Sequence, residues 1–211
     1  MIIAVDGPAA AGKGTLSRNI AEAFDFAHLD TGSIYRATAK KVLDNGIDPE
    51  DDAACAEIAR NLTADDLTSD GLRTEAVGQA ASKVSAIPGV RAALLDFQRD
   101  FANTPPHGKS GAVLDGRDVG TVVCPEAQVK IFITADTEVR AERRFKELQS
   151  AGQNAIYARV LEEMKERDER DSSRSVAPLK PADDAIVIDT GGLDAQQVFD
   201  QALEIIRSKQ S

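Results

Sequence analysis

Histidine and cysteine are nearly absent, at two of each in 211 residues. His28 and His107 are too few for a histidine metal centre or a serine–histidine triad. Cys55 and Cys124 lie far apart with no CxxC or zinc spacing, which fits reduced structural thiols in a cytosolic protein. There is also no basic excess. Lys plus Arg number 25 against 35 Asp plus Glu, for a formal charge of −10. That balance excludes the positive footprint by which nucleic-acid binders hold phosphate backbones. Any anionic ligand must be held by a local group of arginines. No apolar run approaches the roughly 18 residues of a membrane span. The amino terminus reads as one short strand ending at Asp6, not as a signal peptide, so the expected location is the cytoplasm.

An apolar share of 42% and a length suited to one α/β domain leave room for a real core. Compact apolar runs at Ile2–Val5, Ala27–Leu29, Ala112–Leu114, Val129–Ile133 and Ala185–Ile188 read as short strands buried on both faces. Helical patterns fall between them at Lys13–Phe24, Ser33–Leu43, Ala53–Leu62, Thr74–Ser85, Val90–Phe101, Thr137–Gln149 and Ile156–Arg170. A last helix begins near Asp194, with Gln197 placed to complete a capping box. This alternation predicts a parallel sheet covered by helices on both sides, with ligands outside the carboxyl ends of its strands. Thr104–Gly111 reads as a loop and Asn61–Leu72 as a polar, irregular stretch; neither marks a domain boundary.

Gly7-Pro8-Ala9-Ala10-Ala11-Gly12-Lys13-Gly14-Thr15 directly follows the first strand and opens a helix, the context that a P-loop requires. Glycines let backbone N–H groups wrap the phosphates of ATP, and the helix start adds partial positive charge. Lys13 supplies a cation for the γ-phosphoryl group. Gly14 stands where Ser or Thr usually follows the lysine. A hydroxyl ligand for Mg²⁺ would therefore come from Thr15, or the contact would run through water. Asp115, at the end of the third run, is the second metal candidate.

Arginines gather at the same strand ends. Arg36 lies one turn inside the helix that Thr31, Gly32 and Ser33 start, a natural oxyanion site. Arg117 and Asp118 follow Asp115. The run Arg167-Asp168-Glu169-Arg170-Asp171-Ser172-Ser173-Arg174 ends a long helix. It pairs Arg167 with Asp171 at i,i+4, and Arg170 with Arg174 if the helix lasts that far. Such a run is commonly a solvated face of weak ion pairs. Beside a P-loop it suits phosphoryl transfer, where several negative charges must be offset. Arg140, Arg143 and Arg144 form another cluster, readable as a lid over ATP or as a plain basic helix face.

The segments DGPAAAGKGT at 6–15, LDTGSIYR at 29–36, RTEAVGQAAS at 73–82, VLDGRDVGTVV at 113–123 and KERDERDSSRSVAPLKPADDAIVID at 165–189 stand in one order along the chain. In these segments the chain resembles the bacterial cytidylate (CMP/dCMP) kinases of the nucleoside monophosphate kinase group. The resemblance implies one P-loop kinase domain over residues 1–211 with a five-stranded parallel sheet of order 2-3-1-4-5. It also implies a monophosphate-binding insert at about 37–103 and a short lid at about 140–174. Arg36, Arg117 and Arg174 would hold the acceptor phosphate, with Thr31 and Tyr35 alongside. Ser82, Arg91 and Asp118 would read the cytosine edge, and Arg167 and Asp171 would meet the sugar hydroxyls. Arg143 would act with Lys13, Arg117 and Arg174 on the transferring group. The chain departs from the family pattern in one place: Asn61–Leu72 is too short and polar for the small three-stranded sheet that members often carry there.

The residue chemistry agrees for cytosine, whose exocyclic amine donates while N3 and O2 accept. A carboxylate with an arginine is the complementary set, and uracil would oppose its O4 to that carboxylate. The expected activity is ATP-dependent phosphorylation of CMP and dCMP by a monomer, with Mg²⁺ and without nucleic-acid or membrane partners. A kinase for UMP, AMP or shikimate and an ATPase switch stay open as alternatives. The switch is disfavoured by the lack of an N-K-x-D or T-K-x-D guanine motif.

Overall fold

Short apolar runs that bury both faces build the centre of the molecule, and amphipathic helices close over it. The computed structural model describes residues 1–63 and 65–210; Ala64, inside the polar stretch 61–72, lies outside them. In chain order the elements are β1 (Ile2–Asp6), α1 (Lys13–Phe24), β2 (Ala27–Asp30), α2 (Thr31–Asp44), α3 (Asp52–Arg60), α4 (Glu75–Val84) and α5 (Pro88–Asn103). Then follow β3 (Ala112–Gly116), β4 (Val129–Thr134), α6 (Thr137–Ser150), α7 (Tyr157–Ser173), β5 (Ile186–Asp189) and α8 (Ala195–Gln210).

The described strands form one parallel sheet of order β2-β3-β1-β4-β5, the order expected from the resemblance. Alternation along β1 splits the core. Ile3 and Val5 pack with Ile20 of α1, Ile131 and Ile133 of β4, and Ala202 and Ile206 of α8. Ala4 belongs instead to the opposite layer with Leu29, Ile34, Val42, Val84, Leu94 and Leu114. Ile3, Val5, Leu114 and Ile133 are each fully buried. Truncating such a residue to alanine costs about 2–5 kcal/mol once the cavity left behind is included.

The helix starts follow local chemistry. Asp30 caps α2 by accepting the Ser33 N–H at 3.1 Å. Asp194 and Gln197 form the expected reciprocal capping box, at 2.8 and 3.0 Å. Helix α7 runs three residues past Arg170, so Asp171 stays on the face of Arg167. It stops before Arg174, whose extended backbone (φ −60°, ψ 139°) ends the i,i+4 stacking with Arg170 that a longer helix would have allowed. Stretch 61–72 contributes one 3₁₀ turn, Asp65–Thr68, and no strand lies in the described part of 37–103. No described helix is long and apolar enough to cross a membrane.

Register decides what the strand ends share. Asp6 of β1 lies beside Gly116 of β3, and Asp30 of β2 lies beside Asp115 of β3. The motif residues thereby meet along one edge of the sheet.

Candidate active site

A cavity of about 470 Å³ opens at that edge. Its lining includes Ala9, Ala10, Gly12, Lys13, Gly14 and Thr15 of the loop, together with Thr31, Tyr35, Arg36, Ser82 and Arg91. Asp115, Arg117, Asp118, Arg143, Arg167, Asp171 and Arg174 line it as well. Gly7, Pro8 and Ala11 do not line it. Gly7 packs so closely beneath that a Cβ there would stand 2.0 Å from the Ile133 carbonyl oxygen.

The phosphate loop turns through left-handed backbone at Ala10 (φ 57°) and Gly12 (φ 99°) before α1 begins at Lys13. No side chain caps the start of α1 and no acid sits in its first turn, so its N–H groups and partial positive charge face the cavity. The Lys13 ammonium donates to the Pro8 carbonyl at 2.7 Å. Burial, joined by repulsion from Arg117 and Arg167, holds its pKa well below the ordinary lysine value.

Asp115 is less free than its place in the sequence suggests. His28 Nε2 lies 2.7 Å from its Oδ2, and the Thr31 hydroxyl donates to its backbone carbonyl at 2.8 Å. Thr15 and Asp115 offer hard oxygen donors on the wall that carries Lys13. That donor set fits Mg²⁺, which takes one or two protein oxygens and fills its shell with phosphate and water. The described residues contain no cluster of three or more His, Cys, Asp or Glu that could hold a metal unaided.

Arg36, Arg117, Arg167 and Arg174 bring four guanidinium groups to the same cavity. Arg117 Nε donates to Asp171 Oδ2 at 3.0 Å, Ser82 Oγ donates to Asp171 Oδ1 at 3.2 Å, and Arg167 Nε stands 3.9 Å from Asp171. Burial works to raise the Asp171 pKa, but Arg117 and Arg167 outweigh it and hold the carboxyl below its usual value. Burial lowers Arg36 and Arg174, and brings Arg167 to about 10 with repulsion from Arg117 adding to it. Arg167 Nε and Arg174 Nη2 are buried without hydrogen-bond partners. Asp171, Asp118 at 3.9 Å from Arg174, and Asp30 near Arg36 offset only part of this positive charge. The cluster is built for an anion.

Beside it, Arg91 Nη2 pairs with Asp118 Oδ2, Arg91 Nη1 donates to the Ser85 carbonyl at 3.1 Å, and the guanidinium stacks 5.7 Å from the Tyr35 ring centre. Arg174 Nη2 lies 3.9 Å from Asp118 Oδ1. A carboxylate and a guanidinium therefore stand together, locked in place by their neighbours.

The three α6 arginines separate in role. Arg140 is a buried brace: it donates to the carbonyls of Ala135 and Ala9 and forks onto Asp168 at 3.1 and 2.6 Å. Arg143 donates to the Thr190 hydroxyl and carbonyl at 3.0 and 2.6 Å. Arg144 spans the cavity to Glu75 of α4 at 3.5 Å and also pairs with Glu147 at 3.0 Å. Sequence reasoning missed Arg73, which lines the cavity 3.8 Å from Asp30, and Glu75 beside it. Both fall in the segment 73–82, whose helical pattern is read at Thr74–Ser85, but nothing in that pattern says which of its charged residues turn toward a cavity. It also missed His28 and Asp6, whose partners lie 87 and 113 residues away.

The model of the cytidylate kinase family matches residues 3–208. A cytidylate kinase of Paramagnetospirillum magneticum is 64% identical over 99% of this chain and 98% of its own length. A cytidylate kinase of Rhodospirillum rubrum is 56% identical over 99% of this chain and 98% of its own. Among solved structures, an uncharacterized protein from Eubacterium ventriosum superposes with a TM-score of 0.55 at 16% identity, covering 99% of both chains. That last likeness concerns the fold alone.

Proposed function

The chain belongs to the cytidylate kinase family, and from that premise we propose that it transfers the γ-phosphate of ATP to CMP, with dCMP as a second acceptor. The observation that carries the reading is that Arg36, Arg117, Arg167 and Arg174 line the same cavity as Lys13. A hydrolytic switch needs one phosphate cradle. On this reading the cavity holds two, one built on Lys13 and one on the arginines.

ATP lies on loop 7–15 with its terminal phosphates against the start of α1 and Lys13. CMP enters beneath α4 and α5 of the insert at about 37–103. Arg36, Arg117 and Arg174 hold its phosphate, Arg167 and Asp171 face its sugar, and Ser82, Arg91 and Asp118 face its base. A CMP phosphate oxygen attacks the γ-phosphorus in line. No general base is needed, because the second ionisation of a phosphate monoester lies near about pH 6. Thr15 and Asp115 would hold Mg²⁺, which when bound neutralises charge on the β- and γ-oxygens. Rate enhancement comes from positioning and charge neutralisation. Arg143 and Arg144, in the lid at about 140–174, exchange Thr190 and Glu75 for the transferring group as the lid closes. The enzyme is read as a cytoplasmic monomer whose partners are nucleotides.

An ADP-release assay with ATP and CMP, dCMP, UMP, AMP or shikimate tests the reading. Fast turnover is expected with CMP and dCMP, slower with UMP and AMP, and none with shikimate or without acceptor. Equal ATP consumption with and without a monophosphate would sink it.

A further inference from the structure

Asp6 ends the central strand one residue before the phosphate loop, and the mechanism above gives it no task. Its side chain is 5% exposed. Oδ1 accepts the Val119 N–H at 2.8 Å and Oδ2 accepts the Gly120 N–H at 2.7 Å. These amides begin a π-helical turn, Val119–Val123, closed by Cys124 N–H donating to the Val119 carbonyl at 2.7 Å. The two residues before the amides are Arg117 and Asp118. Both oxygens of one carboxylate therefore grip the segment that presents the acceptor phosphate ligand and the base reader.

Packing leaves that segment little slack. A Cβ at Gly116 would stand 2.5 Å from Thr31 Oγ1 and 2.9 Å from Val119 Cγ2. A Cβ at Gly120 would stand 3.2 Å from the Lys130 side chain and 3.4 Å from Asp6 Oδ2. A buried carboxylate with two N–H donors in a fixed fork is a rigid joint, far more so than a single hydrogen bond. It is also costly to bury.

We infer that Asp6 is a positioning residue that fixes Arg117 and Asp118 relative to the phosphate loop, and so sets acceptor affinity and base choice. The inference rests on the assignment of Asp118 to the base proposed above. Asparagine offers one acceptor oxygen and turns its amide donors toward the second backbone N–H, so one of the two bonds is lost.

The test is kinetic. Asp6→Asn is expected to raise the KM for CMP about tenfold and to lower the CMP-over-UMP ratio of kcat/KM by a similar factor. ATP affinity, measured by calorimetry, should stay within about twofold, because the loop keeps its own contacts. In an Asp118→Ala background Asp6→Asn should leave the base ratio where Asp118→Ala put it, the signature of action through that side chain. Gly120→Ala disturbs the same joint from its other partner and should give the same CMP-selective loss if Asp6→Asn fails to fold. Unchanged CMP KM and base ratio in the folded variants, or parallel losses for ATP and CMP, would overturn the inference. If Asp118→Ala leaves the base ratio unaltered, the base assignment falls, while the CMP KM of Asp6→Asn still decides the role of Asp6.

Discussion

Arg117 Nε and Asp171 Oδ2 meet at 3.0 Å, joining the end of β3 to the last turn of α7 across 54 residues of sequence. Asp171 also accepts from Ser82 of α4, so one carboxylate ties three elements around the cavity.

Replacing Asp171 by alanine leaves Arg117 and Arg167 buried without their counter-charge. The kcat/KM for CMP should fall about a hundredfold, while ATP affinity is unchanged. The Arg117→Ala, Asp171→Ala double variant should lose less than the two single losses combined. Steady-state kinetics on the four proteins measure the coupling, and full additivity would contradict it.

Lys13→Ala removes the cation beside the transferring phosphate and leaves the core untouched. Turnover should drop by a factor on the order of 10³, as for other preorganised charge stabilisers. Thermal unfolding should remain cooperative and close to that of the parent. A variant with near-parental turnover would remove Lys13 from the mechanism.

Gly7→Ala places a methyl 2.0 Å from the Ile133 carbonyl oxygen, where backbone rather than a flexible side chain must yield. The loop cannot keep its path. A stability loss of about 3 kcal/mol or more is expected in urea titrations, together with weakened ATP binding.

Burial pushes Asp6 up to about 6 from 3.8, against the Gly120 and Val119 amides and Lys13, with Asp118 adding repulsion. Between those pH values the folded protein holds a proton that the unfolded chain has released. Asp6 thus favours folding most below about pH 4, and that contribution fades as pH rises through about 6. The change is on the order of 3 kcal/mol across the window. Urea midpoints from pH 4 to 7 should show a steeper decline in the parent than in Asp6→Asn; equal slopes would refute it.

Backbone architecture was legible because it is written in short periods. The runs Ile2–Val5 and Val129–Ile133 became β1 and β4, and Asp194 with Gln197 became a capping box. The gathering of Lys13, Arg36 and Arg117 followed too, since their motifs sat at strand ends and the described strands are parallel. Side-chain partnerships were not legible. His28 reaches Asp115, and Asp6 reaches Val119, only through sheet register, which no local pattern encodes. The α6 arginines show the same limit. Arg140 looked equivalent to Arg143, yet one is buried against Asp168 and the other turned to Thr190. A run of like residues does not say which of them faces inward. Nor was the π-helical turn at Val119–Val123 legible, whose Val119 and Gly120 amides meet Asp6 from 113 and 114 residues away.

Arg36, Arg117, Arg167 and Arg174 come from three distant stretches of chain: α2, the residue after β3, and the carboxyl-terminal part of α7 with the residue after it. Folding thus assembles mutually repelling cations, and a dianion lodged among them would act as a non-covalent staple. By mass action, CMP at a hundred times its dissociation constant would add about 2.7 kcal/mol to the folded state. The apparent melting temperature then becomes a titratable readout of monophosphate occupancy, even in a variant whose chemistry is dead.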